Sequence, residues 1–182
     1  STVNRASQIL SQNMTKDEKI NELKSIAKEI NIPLIAAGGI ATGRAMLAAL
    51  NLGADGVQIG SRFVASVESS AHDAFKNEVI ESKEGDTILT LKELTPVRLI
   101  KNEFYDSIEE VYKNGADSSE LKTLLGRGRA KKGMFEGNLK EGELEIGQIS
   151  GLINEIKPAA QIVDEIVSEY MLALEEQSRL KF

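Results

Sequence analysis

The sequence predicts an α/β fold in which parallel strands alternate with helices. A short apolar run at residues 33–37 and a second predicted strand at residues 55–59 each lead into glycine, and an Ala- and Leu-rich helical segment at about 43–52 lies between them. Because the connections are short, the order helix, strand, helix, strand indicates parallel strands joined by right-handed crossovers. We expect this unit to occupy residues 16–84.

The first helix is predicted over residues 16–30. Thr15 has the side chain of a helix N-cap, and Asp17 and Glu18 stand in the first turn. Apolar residues follow at helical spacing, at Ile20, Leu23, Ile26, Ala27 and Ile30. Residues 1–15 are mostly polar, and we expect an arm or a short helix there.

The run at residues 33–37 is short and continuously apolar, so we expect a strand that is buried on both faces, and we expect a second buried strand at residues 55–59. Pro33 begins the first run and Gly38–Gly39 end it, while the second strand ends at Gly60–Ser61. Thr42 is predicted to cap the helix between the strands, and Gly53 is predicted to stop it.

The remainder of the chain predicts helices and irregular segments rather than further strand–helix units. We divide it into a helical and loop insertion at residues 85–150 and C-terminal helices at residues 151–182. The predicted elements are helices at 70–83, 99–113 and 118–125, an extended stretch at 85–98, an irregular segment at 126–147, and a helical region at 149–174 interrupted by Pro158.

Composition excludes several classes of function. The net charge of -6 argues against nucleic-acid binding, which needs an excess of Lys and Arg. The absence of cysteine excludes disulfides, thiolate metal sites and a cysteine nucleophile, and we predict no metal site. No apolar run approaches the roughly 20 residues of a membrane span. We expect a cytoplasmic protein without a membrane partner.

The ends of the two predicted strands hold the candidate ligand-binding residues. Glycine lets a backbone approach a ligand closely, and exposed N–H groups beside a helix N-terminus attract anions. In (β/α)8 barrels a phosphate site is typically built by the loops after strands 7 and 8. The alternative is that the glycines only form tight turns. Two successive glycine-containing strand ends favour a phosphate ligand.

The stretch PLIAAGGIATGRAMLAALNLGADGVQIGSRF, residues 33–63, resembles the nitronate monooxygenase family, formerly called 2-nitropropane dioxygenases. It is also similar to the sister group of FMN-dependent enoyl-ACP reductase II enzymes. Glu68–His72, Phe75–Lys76 and Gly147–Ile149 fit the same pattern, and the resemblance covers about residues 31–175. It implies the C-terminal portion of a TIM (β/α)8 barrel, with its last two strands, followed by a mainly helical C-terminal extension.

The resemblance implies FMN as the cofactor. Gly38 and Gly39 match the family's phosphate-binding pair after strand 7. The residues that match the FMN-contacting segment after strand 8 are Gln58, Ile59, Gly60 and Ser61. Ser61 is often Thr in the family, and either hydroxyl can donate to a phosphate oxygen. Arg62 is either a further contact or a salt-bridge partner.

The family's catalytic histidine has no counterpart in this sequence. In the family it follows strand 6, but no histidine precedes Ala36 here. His72, the one histidine, lies beyond the second strand, where a helix cap or packing role is favoured over catalysis. We therefore predict no catalytic residue in this chain.

Two sets of charged residues are weaker candidates for contact with a ligand. The run Gly126–Gly133, rich in Arg and Lys, could bind an acidic or phosphorylated group, although such runs are usually solvated loops. We expect four glutamates to be solvated as well: Glu136, Glu141, Glu143 and Glu145.

Three functions remain open. The first is FMN-dependent oxidation of alkyl nitronates, and the second is NAD(P)H-dependent reduction of enoyl thioesters on FMN. Both would act on a small-molecule substrate. The third is a non-catalytic fragment that needs a partner to complete the barrel, because two strands leave unpaired edges. The expected protein partner is either a second copy of the chain or the missing N-terminal half of the barrel.

Overall fold

The fold is given by a computed structural model, which describes residues 15, 17–18, 21–22, 24–25, 32–115 and 117–180. The chain divides into two compact units. Unit 1 contains the described residues of Ser1–Ile59 and Asp164–Phe182, and unit 2 is Gly60–Val163. The first boundary therefore falls inside the strand–helix segment predicted at residues 16–84.

The strands and α-helices from residue 32 onward follow one another along the chain. They are β1 (Ile35–Ala37), α1 (Gly43–Asn51), β2 (Gly56–Gln58), α2 (Ser61–Val64), α3 (Asp73–Glu81), β3 (Thr87–Thr90), β4 (Val97–Ile100), α4 (Glu103–Lys113), α5 (Ser118–Leu125) and α6 (Ala159–Ser178). A π-helix at Lys131–Phe135 and a 3-10 helix at Gln148–Leu152 lie between α5 and α6.

The start of the first predicted helix is confirmed at Thr15. The backbone N–H of Glu18 donates to the Thr15 hydroxyl at 3.3 Å, and the Thr15 N–H donates to the Glu18 carboxylate at 2.8 Å. This reciprocal pair is a capping box. The described residues between 17 and 25 are helical. The rest of the predicted 16–30 helix, and the arm predicted before Thr15, lie outside the described residues.

β1 and β2 form the predicted parallel pair, with Ile35 opposite Gly56 and Ala37 opposite Gln58. Asp55 fixes the start of the pair. Its carboxylate accepts the Leu34 N–H at 2.8 Å, and its own N–H donates to the Leu34 carbonyl at 2.8 Å. The connection between the strands is α1, which contacts β2.

The expected burial of both strands is wrong. Ile35 is 51% exposed, Ala37 and Gln58 are exposed, and the other residues of the pair are only half-buried. Within the described part of the chain β1 pairs only with β2, so no further strand shields either edge. A buried parallel strand needs neighbours and a layer on each face.

α1 has the predicted ends and packs on α6 within unit 1. The Thr42 hydroxyl accepts the Ala45 N–H at 3.1 Å, and Gly53 follows the helix with a φ of +105°. Gly43 touches the backbone of α6 so closely that a Cβ there would lie 2.1 Å from the Tyr170 nitrogen. This glycine therefore allows the two helices to approach.

Unit 2 contains an antiparallel hairpin of β3 and β4 beside a buried apolar cluster. The cluster consists of Leu91, Phe104, Ile108 and Leu121. The helix predicted at residues 99–113 starts later, at Glu103, because β4 pairs with β3 as far as Ile100. Asn102 then caps α4 by accepting the Tyr105 N–H at 3.0 Å. The helix predicted at residues 118–125 is confirmed as α5.

The predicted irregular segment at 126–147 contains closely packed backbone. Gly133 and Gly142 are buried against each other, and a Cβ on Gly142 would lie 2.2 Å from the Gly133 Cα. The Arg129 guanidinium donates to the Leu124 and Leu125 carbonyls at the end of α5 and lies 4.5 Å from the Phe104 ring centroid. One arginine of the basic run thus caps a helix rather than facing water.

The predicted break at Pro158 is confirmed, because α6 begins at the next residue. Among the helices whose residues the structure describes, none combines the length and apolar content of a bilayer span.

Candidate functional site

The first predicted phosphate loop, Gly38–Gly39, leaves β1 in a conformation that favours glycine. The two residues have consecutive positive φ angles of +85° and +72°. Both are exposed, and a Cβ built on either would meet nothing within 4 Å. The described residues therefore do not require these glycines for packing. They are required for the backbone conformation, which other residues adopt only at a cost.

The second strand ends at the same edge of the sheet. Gln58, the last residue of β2, lies opposite Ala37, the last residue of β1. Parallel pairing therefore brings the Gly38–Gly39 turn beside Gln58 and Ile59 in unit 1. The Gln58 side chain is exposed and Ile59 is half-buried. The structure thus brings four of the six predicted cofactor contacts to one strand edge.

Gly60 and Ser61, the other two predicted contacts, belong to unit 2. Gly60 is exposed and precedes α2. The Ser61 hydroxyl accepts the backbone N–H of Gly147 at 3.0 Å. The pattern at Gly147–Ile149 does not predict this contact, because the partners are 86 residues apart in the sequence.

The N-terminus of α1 already has anionic and polar partners. The Gly43 N–H donates to the Glu169 carboxylate at 2.8 Å, and the Thr42 hydroxyl binds the Ala45 N–H. A carboxylate at this position is favoured by the helix dipole. We expected the N-terminus of the helix after Gly38–Gly39 to attract a ligand anion. The Gly43 N–H at this N-terminus is instead bound to Glu169.

A sequence model of the nitronate monooxygenase family matches residues 10–169. This chain belongs to the nitronate monooxygenase family. A probable nitronate monooxygenase from Staphylococcus saprophyticus is 35% identical over 143 residues, which cover 78% of this chain and 39% of that protein.

Two solved structures extend the family comparison. FabK from Thermotoga maritima is 39% identical with a TM-score of 0.76, over 86% of this chain and 50% of that one. A nitroalkane oxidase from Streptomyces ansochromogenes is 25% identical with a TM-score of 0.66, over 91% of this chain and 48% of that one. The chain spans about half the length of these two structures.

His72 has the capping role that the sequence favoured. Its Nδ1 accepts the Ala74 N–H at 3.1 Å at the start of α3, and its backbone N–H donates to the Met134 carbonyl at 2.8 Å. The ring lies against Gly137, where a Cβ would come within 2.4 Å of Nδ1. The one histidine of this family member is thus used to begin a helix and to pack a turn.

Arg62 and the basic run are used within the chain. The sequence leaves Arg62 open between a further ligand contact and a salt bridge, and in the structure it donates to the Glu155 backbone carbonyl at 3.4 Å. Lys131 pairs with Glu136 at 3.1 Å, and Lys132 pairs with Glu141. Both of these glutamates are exposed, as predicted.

Glu143 corrects the expectation that the glutamates of this segment are solvated. It is 7% exposed. Burial, and secondarily the charge of Glu145, raise the pKa of the Glu143 carboxyl to about 7, with Arg129 opposing the shift. Glu145 itself is half-buried. Local sequence does not predict this burial, because it depends on how residues 133 and 142 pack.

Proposed function

We propose that this chain binds the phosphate of FMN as part of a flavin-dependent oxidoreductase that oxidises alkyl nitronates. The observation that carries the proposal is the Gly38–Gly39 turn, with its two left-handed glycines exposed at the carboxyl end of a parallel strand pair. This is the edge at which α/β proteins bind ligands.

The residues at this edge suit a phosphate ester. The open space beside Gly38 and Gly39 lets an anion approach backbone N–H groups without meeting a side chain. The exposed Gln58 amide supplies a donor and an acceptor, and Ile59 supplies an apolar surface beside them. Gly60 and Ser61, which follow directly, stay predicted contacts. FMN, when bound, supplies the redox chemistry.

The proposed substrate suits a chain whose only histidine caps a helix. An alkyl nitronate is already deprotonated at carbon, so its oxidation requires no base from this chain. Oxidation of a neutral nitroalkane requires a general base within hydrogen-bond reach of that carbon. His72 is committed through Nδ1 to the Ala74 N–H. A base acting on neutral nitroalkanes would therefore come from outside this chain.

A second candidate function is NAD(P)H-dependent reduction of enoyl thioesters. It is favoured by the likeness to FabK, which shares 39% identical residues, against 25% for the nitroalkane oxidase. Both functions use the same FMN phosphate contacts, so the strand edge described above does not separate them.

A third candidate is a non-catalytic role until a partner completes the barrel. The exposed β1–β2 pair favours it, because Ile35 is 51% exposed and the pair has no third strand among the described residues. A second copy of the chain or a polypeptide carrying the preceding barrel strands would cover such edges.

The test is reconstitution of the purified chain with FMN. We expect retained flavin absorbance after desalting and oxygen uptake with an alkyl nitronate. NAD(P)H oxidation with an enoyl thioester, and no nitronate-dependent oxygen uptake, would instead support the second candidate. A colourless chain that gains flavin only on adding a polypeptide with the preceding strands would support the third.

A matched pair of variants tests the Gly38–Gly39 turn. Gly39 and Gly115 have φ angles of +72° and +73°, and neither would bring a Cβ within 4 Å of another group. Gly39→Ala and Gly115→Ala therefore introduce the same backbone strain. We expect only Gly39→Ala to weaken FMN binding. Equal FMN affinity in the two variants would contradict the proposed contact.

A further inference from the structure

The contact between Ser61 and Gly147 explains why residue 147 is glycine. Gly147 has φ -71° and ψ 156°, an ordinary extended conformation open to any residue. Backbone strain therefore does not require glycine here. A Cβ at this position would lie 2.6 Å from the Ser61 Oγ and 3.6 Å from its Cβ, with nothing else within 4 Å. The missing side chain leaves room for one hydroxyl group.

The segment that carries Ser61 is held along its length by the same part of unit 2. The Val67 N–H donates to the Lys157 carbonyl at 3.0 Å, and the Lys157 N–H donates to the Ala65 carbonyl at 3.4 Å. The Glu68 carboxylate accepts the Ala159 N–H at 2.8 Å. Residues 61–68 thus rest on residues 147–159, which places Ser61 by contacts at both ends of α2.

We propose that Gly147 is a positioning residue that leaves the Ser61 hydroxyl free to donate its proton to a phosphate oxygen of FMN. A serine hydroxyl has one donor and two acceptor sites. The Gly147 N–H occupies an acceptor site, so the Ser61 proton points away from Gly147. No acceptor for that proton is assigned among the described residues, which leaves it for an external oxygen. This inference rests on the proposed function.

The test compares FMN with riboflavin, which has the same ring system without the phosphate. We expect Gly147→Ala to displace the hydroxyl and weaken FMN binding about tenfold, the order expected for losing a hydrogen bond to a charged group. Riboflavin affinity should stay unchanged. Ser61→Ala should have the same effect, and Ser61→Thr, which keeps the hydroxyl, should retain FMN preference.

The double variant Ser61→Ala with Gly147→Ala separates positioning from general damage. Without the Ser61 Oγ, the added methyl group meets only the residue 61 Cβ, at an ordinary contact distance of 3.6 Å. We therefore expect the double variant to bind FMN as Ser61→Ala does. Thermal unfolding of each variant checks folding.

Three results would overturn the inference: wild-type FMN affinity in Gly147→Ala, equal losses of FMN and riboflavin, or additive losses in the double variant. Should Gly147→Ala fail to fold, Ser61→Ala decides alone, and retained FMN preference in that variant would refute the proposed hydroxyl contact. A wild-type chain that does not prefer FMN to riboflavin would refute the proposed function itself.

Discussion

The two small sheets of this chain have two strands each but differ in burial. In β1–β2 the side chains of Ile35, Ala37 and Gln58 are exposed. In β3–β4 both ends of β3 and the last two residues of β4 are buried, and Leu99 has no exposed surface. The hairpin carries none of the predicted cofactor contacts, whereas the parallel pair leads into the Gly38–Gly39 turn.

The difference lies in what covers each edge. Beyond β4, the Ile100 N–H donates to the Leu144 carbonyl at 3.0 Å, and the Ile146 N–H donates to the Arg98 carbonyl at 3.1 Å. The buried cluster around Phe104 lies in the same unit. No comparable third segment pairs with β1 or β2 in the described residues. Most of the buried apolar side chains among the described residues therefore lie in unit 2, while the parallel pair stays partly exposed.

The largest expected effect is on stability. Phe104→Ala removes a side chain that is 2% exposed, whereas Ile35→Ala removes one that is 51% exposed. We expect Phe104→Ala to lower the free energy of unfolding by about 3–5 kcal/mol, as for other buried aromatic truncations. Ile35→Ala should cost less than about 1 kcal/mol because it forms little of a core. Urea denaturation measures the free energy of unfolding of both variants. Equal losses of stability would contradict the difference in burial between the two sheets.

A second effect, confined to unit 2, depends on pH. The Glu143 carboxyl has an ordinary pKa of 4.5 when unfolded and about 7 when folded. Between these values the unfolded chain ionises while the folded chain keeps its proton. Stability therefore falls as pH rises through this range, by about 1–3 kcal/mol, and the loss is complete above pH 7.

Glu143→Gln isolates this pH dependence, because glutamine does not ionise. Urea midpoints between pH 5 and 8 should fall with pH in the wild type and fall less in the variant. An identical pH slope in the two proteins would show that Glu143 does not titrate in this range.

The matched glycine variants give a smaller stability effect. Gly39→Ala and Gly115→Ala should each lose about 1–2 kcal/mol, the cost of a left-handed conformation for a residue with a Cβ. The loss of FMN affinity should be limited to Gly39→Ala. A much larger stability loss in Gly39→Ala would mean that the turn is packed rather than open, contrary to its exposure.

The smallest effect concerns the ion pair between α1 and α6. Arg44 and Glu176 lie 2.5 Å apart, but both side chains are more than half exposed. Exposed pairs contribute at most about 1 kcal/mol and are weakened by salt. We expect Arg44→Ala to change the free energy of unfolding by less than about 0.5 kcal/mol. A loss comparable to that of Phe104→Ala would place the main core of the chain at this helix pair.

Features set by neighbouring residues could be predicted from the sequence. Helix α1 begins after Thr42 and ends before Gly53, as expected, and His72 is the N-cap of α3. These features are predictable because capping depends on the local backbone. The parallel pairing of the strands also followed from the short crossover. The Gly38–Gly39 turn was recognisable because consecutive glycines after a strand favour left-handed backbone.

Features that depend on distant partners could not be predicted. The exposure of Ile35 reflects which strands flank β1, and the burial of Glu143 reflects the close approach of Gly133 and Gly142. The Glu169 carboxylate reaches Gly43 across 126 residues of sequence. Hydrophobic periodicity and local spacing carry no information about such contacts.

An NMR titration of the backbone amides with FMN and with riboflavin tests directly whether the Gly38–Gly39 turn binds the phosphate. We expect the Gly38 and Gly39 amide signals to shift strongly on saturation with FMN and much less with riboflavin, because the phosphate is the group that they bind. Gly115, which has nearly the same φ angle as Gly39, should not shift. Unchanged Gly38 and Gly39 signals in the presence of saturating FMN, or equal shifts with both flavins, would contradict phosphate binding by the turn.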